Sequence, residues 1–247
     1  MKAAVLHGQR DIRYEEVDTP QIGPNEVLVK VKATGICGSD IPRVLGKAAH
    51  FYPIILGHEF SGEVVAIGEQ VNNVQVGDSV SGAPLLPCHQ CIDCHRGNYS
   101  QCKHYSFVGS RTSGSWAEYV KLPAINAVKL PEGVGFIEGA FLEPITVALH
   151  GLFLINFQGG YDVAIVGMGT IGLLTLQCAK ALGARHIYVF DIDDEKLAIA
   201  KEYGAYSAIN TTVDGFKNQV WEATSGRGFD MVIETAGVEF TEKLSLE

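Results

Sequence analysis

Cys88, Cys91, Cys94 and Cys102, in the stretch PCHQCIDCHRGNYSQC, are four of the chain's six cysteines and occupy fifteen residues. Two successive C-x-x-C steps and a fourth cysteine shortly after them bring four thiolates within reach of one small loop. Four soft ligands around a closed tetrahedron are what a structural zinc ion takes. A redox C-x-x-C is the other chemistry open to this spacing. That motif opens a helix in a βαβ pattern, and none surrounds it here. A closed four-thiolate site does no chemistry itself, so any reaction needs a second, open site.

Gly167-Met168-Gly169-Thr170-Ile171-Gly172 is a G-x-G-x-x-G loop between the apolar run VAIV and a helical pattern. In that context it reads as a dinucleotide-binding turn. Gly167 allows the tight turn, Gly169 lets backbone approach a pyrophosphate, and Gly172 lets helix pack on strand. Thr170 and Ile171 open the helix whose free N–H groups face the phosphates. Asp191 closes the next strand, nineteen residues after Gly172. A carboxylate there can hold ribose hydroxyls and repels a 2′-phosphate, which favours NAD over NADP. Lys196 is a weaker candidate for the adenosine ribose, or simply a helix-surface lysine.

Three further segments carry possible ligands of an open metal site: Cys37 in GICGSD, His58-Glu59 in LGHEFSG, and Glu143 in FLEPITV. Each is ordinary alone; a lone buried cysteine is most often a small hydrophobe. Spacing cannot join segments so far apart, so the residues by themselves only suggest the site.

Around these residues the chain divides in character. Up to about residue 140, short alternating stretches such as EVLVKVKATGIC, EFSGEVVAIG and GDSVSG predict strands, with helices hinted only near Gly38–Val44 and Glu138–Phe141. MKAAVLHG reads as an edge strand rather than a signal segment. From PITVALHGLFLI, read as a buried helix, strands and helices alternate as in βαβ units with a parallel sheet. Strands are expected near 163–167, 187–191, 206–209 and 230–234. The expected division is a β domain over 1–148 and an α/β domain over 149–247. A net charge of −9 argues against a nucleic-acid scaffold, which needs a basic face. No apolar run approaches a membrane span. Clustered cysteines without a secretion signal point to metal in the reducing cytoplasm.

The order of GICGSD, GHEFSGEVVAIG, GDSV, PCHQCIDCHRGNYSQC, FLEPITVALH and VGMGTIG resembles the zinc-containing medium-chain alcohol and polyol dehydrogenases, over nearly the whole chain. The resemblance implies a GroES-like β domain bearing the structural zinc lobe, followed by a Rossmann NAD-binding domain. It implies two zinc ions per chain. Cys37, His58 and Glu143 match the catalytic zinc ligands, and Glu59 a ligand or neighbouring carboxylate. Cys88, Cys91, Cys94 and Cys102 match the structural set. Ser39 matches the hydroxyl that starts a proton relay, which His50 could extend. Glutamate at 143, rather than cysteine, resembles the sorbitol dehydrogenase branch.

Within that branch, CGSDIPRVLGKAAHFYPIILGHEFSG, PLLPC and YSFVGSRTSGSWAEY resemble members acting on polyol phosphates. The implied substrate is a polyol or polyol phosphate, galactitol 1-phosphate first, with sorbitol-, butanediol- or threonine-type activity as the alternative. Arg43, Lys47 and Arg111 are the candidate phosphate contacts. A complete doubly wound sheet runs 3-2-1-4-5-6, and the family returns afterwards to its β domain and forms homo-oligomers through later strands. The sequence as given is expected to lack those parts. A non-catalytic zinc-binding fragment is therefore the competing expectation.

Overall fold

The structure, a computed structural model, describes residues 1–246, which group into two units, Met1–Glu143 and Pro144–Glu247. In the first unit, β1 (Lys2–Gly8) and β2 (Asp11–Glu16) form a hairpin. β3 (Glu26–Thr34) leads through α1 (Asp40–Val44) to β4 (Ile54–Ile55), β5 (Phe60–Ile67) and β6 (Ser79–Gly82). β7 (Leu85–Leu86) and β8 (Ser106–Phe107) pair across the cysteine loop, which carries the single-turn α2 (Ile92–His95). β9 (Tyr119–Pro123), β10 (Ala127–Lys129) and α3 (Phe136–Ala140) complete the unit.

Its main sheet has the order β10-β6-β5-β3-β9. On β3 the alternation does what period two requires: Val27 and Val29 are buried while Lys30 and Lys32 face outward. They pack with Phe60, Val64, Val80, Val120 and Leu122 into one core. The edge position expected for MKAAVLHG is corrected. β1 is the central strand of a three-stranded sheet, because buried Val5 and Leu6 pair with Ile55 and Ile54 on the side away from β2.

The second unit begins within α4 (Leu142–Leu154) and continues β11 (Asp162–Val166), α5 (Thr170–Ala181), β12 (His186–Asp191), α6 (Asp194–Glu202), β13 (Ser207–Asn210), α7 (Phe216–Ala223), β14 (Met231–Glu234), α8 (Glu239–Leu244). The sheet is parallel, in the order β13-β12-β11-β14. β11 is buried throughout, as a strand covered on both faces must be. Val163 and Ile165 pack on one face with Leu176 and Leu197; Ala164 and Val166 pack on the other with Phe190 and Ile209. The helix expected to be buried is buried only along a stripe. Pro144, Ala148 and Leu152 recur every fourth residue, whereas Val147, Phe153 and Leu154 are exposed. Among the described residues, no helix is long and apolar enough to cross a membrane.

One carboxylate ties the lower end of this sheet together. Asp162, buried at the start of β11, accepts from Arg185 Nε at 2.7 Å and Nη2 at 2.5 Å and from Arg227 Nη2 at 2.6 Å. His186 Nδ1 lies 2.9 Å away. The Arg185 guanidinium holds the Asp162 carboxyl down from 3.8 to about 2. A depressed folded-state value adds stability above the unfolded value that is lost as pH falls through the folded one. Asp162 should therefore contribute about 1–2 kcal/mol above pH ~4, discounted for its half-exposed partners, and lose it towards pH ~2. Denaturant melts of Asp162→Asn should show that loss at neutral pH and a flatter acid limb. An unchanged acid limb would refute the assignment.

Candidate functional site

The cysteine loop brings its four sulfurs within 4.8 Å of one another. Cys91 and Cys94 Sγ are 3.6 Å apart, and Cys88 and Cys94 Sγ 3.9 Å. A tetrahedron with Zn–S bonds of ~2.3 Å has edges of about 3.8 Å, so the measured separations fit that ion. None of the six cysteines is in a disulfide. Backbone N–H groups of Cys94 and Lys103 bring the Cys91 thiol down to about 6, and burial pushes Cys94 up to about 12. Cations would draw both to the thiolate form.

A second group joins what spacing could not. Cys37, after β3, and His58-Glu59, before β5, place their ligand atoms within 4.8 Å of one another. The Glu59 carboxylate folds over Gly35, where a Cβ would lie 2.2 Å from Oε2. Glu143, in the first turn of α4, is not within that tight group. Its carboxyl nevertheless responds to the group. Burial raises it most, opposed by His58, and the charges of Glu59 and Asp40 push it further up. Burial likewise raises the Cys37 thiol, with Glu59 and Asp40 adding to the rise.

Asp40 escaped the sequence reading, although it closes the same GICGSD motif. It is 1% exposed, and its Oδ1 lies 3.7 Å from His58 Nδ1 and 3.6 Å from Arg43 Nη1. Oδ1, His58 Nδ1 and Arg43 Nε are all buried with no hydrogen-bond partner. A histidine that ligates a metal commonly turns its other nitrogen to a carboxylate. With Nδ1 turned to Asp40, Nε2 is the nitrogen left for a ligand. One buried and two half-buried carboxyls, a thiol and an imidazole, with repelling charges and orphaned atoms, form a donor set suited to a divalent cation. Phe107 packs edge-on to His58, with ring centroids 5.6 Å apart, and restricts that ring.

Ser39 is exposed beside this group. Its N–H donates to Cys37 Sγ at 3.5 Å, and its Oγ and backbone O each accept from Arg43 Nη1 at 2.7 Å. His50 and Lys47 are exposed in the segment after α1, and neither side chain has a hydrogen-bond partner among the described residues. Arg111 is exposed in the turn after β8.

In the second unit, Gly167 takes φ +95°, and a Cβ on Gly172 would stand 1.9 Å from Gly167 O. Only glycine at 172 lets α5 start this close to β11. Space beside Gly169 is open, and Thr170 and Ile171 form the first turn of α5. Asp191 does more than the sequence suggested. Its Oδ2 accepts from Met168 N at 2.6 Å, inside the glycine loop, and its Oδ1 from Ile192 N and Asp193 N. Three of a carboxylate's roughly four lone pairs are thus engaged, which fixes the group and leaves capacity for about one more strong bond. Lys196 points to Asp193 Oδ2 at 3.8 Å on the exposed face of α6.

Comparison with known proteins accords with both halves. Residues 23–132 match the alcohol dehydrogenase GroES-like domain, and residues 170–247 match the zinc-binding dehydrogenase domain. Galactitol 1-phosphate 5-dehydrogenase of Escherichia coli (strain K12) is 43% identical over 248 residues, covering 100% of this chain and 72% of the relative. The chain belongs to the zinc-binding alcohol dehydrogenase family. Members of this family are oxidoreductases, and the GroES-like and Rossmann arrangement described above is theirs. The crystal structure of the Escherichia coli galactitol-1-phosphate dehydrogenase matches with a TM-score of 0.94, over 100% of this chain and 71% of that one. Sorbitol dehydrogenase of Bacillus subtilis is 37% identical, over 96% of this chain and 69% of the relative. A zinc-binding dehydrogenase from Sinorhizobium meliloti 1021, bound to NADP, is 36% identical with a TM-score of 0.92, over 99% of this chain and 72% of that one.

Proposed function

We propose that this chain oxidises a secondary alcohol of a polyol or polyol phosphate, galactitol 1-phosphate first, with zinc and NAD. The grouping of Cys37, His58 and Glu59, with Glu143 and Asp40 responding to it, carries this reading. In it, Cys37, His58 and the carboxylates of Glu59 and Glu143 hold a catalytic zinc, and Cys88, Cys91, Cys94 and Cys102 a structural one. Zinc held there would supply a Lewis acid that lowers the pKa of a substrate hydroxyl, and a bound nicotinamide would supply the hydride acceptor.

The chain's own residues do the rest. Asp40 orients His58 from behind. Phe107 keeps water from that ring. Ser39 Oγ, with one lone pair occupied by Arg43, retains an O–H donor and a further lone pair, so it can take a proton from substrate and pass one on. His50 is the candidate to continue that relay from the exposed side. Gly167, Gly169, Thr170, Ile171 and Gly172 bind the pyrophosphate. Asp191 accepts from the adenosine ribose, with Lys196 as the outer candidate. The fixed charge of Asp191 sets NAD above NADP here, even though the Sinorhizobium relative holds NADP. Six cysteines with no disulfide among them suit a reducing cytoplasm.

The test is nicotinamide reduction by the zinc-loaded chain with galactitol 1-phosphate, sorbitol and threonine, each with NAD and with NADP, and metal content measured on the same sample. Turnover fastest with galactitol 1-phosphate and NAD is expected. Full zinc content with no turnover on any substrate would favour the non-catalytic fragment.

A further inference from the structure

We infer that Arg111 is the anion-binding residue of this site and receives the phosphate monoester of a phosphorylated polyol; the inference rests on the dehydrogenase reading above. Of the three cations that the sequence offered for that task, the structure separates one from the others. Arg43 is largely covered and its charge is faced by a carboxylate: its side chain is only 17% exposed, Nη1 donates to Ser39 O and Oγ, and Asp40 Oδ1 lies 3.6 Å from it. Lys47 sits on an exposed segment with nothing to orient its side chain.

Arg111 is held but not neutralised. Its Nη2 donates to Tyr105 Oη at 3.2 Å, and its guanidinium carbon lies 4.5 Å from the Tyr105 ring centroid. No carboxylate pairs with it among the described residues. One N–H of the planar fork is occupied, and the remaining edge is available for bidentate phosphate binding, for which arginine suits better than lysine.

The turn carrying Arg111 is fastened to the segment that carries His58. Ser110, Arg111 and Thr112 N–H all donate to Phe107 O, and Gly109 N–H donates to Thr112 O. Gly114, Ser115 and Trp116 N–H donate to Ile55, Gly57 and Leu56 O. Backbone meets backbone there: a Cβ on Gly109 or Gly114 would lie 2.3 or 2.2 Å from Gly57 O. Phe107, where the turn starts, packs on the His58 ring. Tyr105 immediately precedes β8, the strand that ends in Phe107. Arg111, stacked on Tyr105, is thereby carried by a closed, pre-organised turn bonded to the segment that leads into His58. Asp40, Glu59 and Glu143 make the neighbourhood acidic, so an anionic substrate needs such a cation.

The experiment is calorimetric titration of the zinc-loaded full chain with galactitol 1-phosphate and with galactitol. Arg111→Met, Arg111→Lys and Lys47→Ala are titrated alongside, with thermal melts as fold controls. The wild type should bind the phosphate ester more tightly. Arg111→Met should weaken that binding roughly ten- to hundredfold while leaving galactitol unchanged. Arg111→Lys should recover part of it, and Lys47→Ala should keep all of it. Equal binding of both ligands by the wild type, or preference retained in Arg111→Met, would overturn the inference. If the chain oxidises neither compound yet its phosphate preference disappears with Arg111→Met, the dehydrogenase reading fails and the anion site stands.

Discussion

Replacing Cys37 with alanine should cut turnover by about a thousandfold or more and leave the fold intact. The catalytic metal is worth several kcal/mol of transition-state stabilisation, and each ~1.4 kcal/mol is tenfold in rate. Cys37 is half-exposed in the loop after β3 and is not part of the main core, so its loss should shift the melting temperature little. Zinc should fall from two ions per chain, matching the two ligand groups, to one. NAD should still bind, because Gly167 to Gly172 and Asp191 belong to the second unit. Metal analysis, melting and cofactor titration on one preparation check all of this. A variant with two zincs and turnover within tenfold of wild type would show that Cys37 is not a ligand.

What the sequence made legible follows the range over which each feature acts. The four clustered cysteines could be assigned together because their spacing alone brings them into one loop. The glycine loop was legible because its strand and helix flank it directly. Cys37, His58, Glu59 and Glu143 lie on segments that only the sheets bring near one another, and family resemblance supplied what spacing could not. Asp40 was overlooked because a buried carboxylate beside a histidine has no local signature. The engagement of Asp191 with Met168 N–H depends on the close approach of β12 to the glycine loop, another non-local fact. β1 was misplaced to an edge because its second partner, Ile54–Ile55, is a two-residue strand too short to recognise.

Cys91→Ser should behave in the opposite way to Cys37→Ala: stability should fall first, and activity only as a consequence. From residue 88 to 102 only Cys94 and Cys102 are buried, while Ile92 and Tyr99 are exposed. The loop therefore has no apolar core. Its regular structure is one short helix and a single 3₁₀ turn, both far below the length that is stable alone. Structural zinc supplies about 10–16 kcal/mol to the folding of small metal-dependent peptides, and nothing else in this loop is of comparable size. Loss of one thiolate should release that zinc, expose residues 88–102 to proteolysis and lower the melting temperature. The Cys37 group should keep its own ion, because its ligands come from the loop after β3 and from the segment entering β5. Proteolytic mapping with metal analysis reads each effect separately. If Cys91→Ser kept full zinc and its melting temperature while losing turnover, the four cysteines would have to be assigned to chemistry rather than to holding the loop.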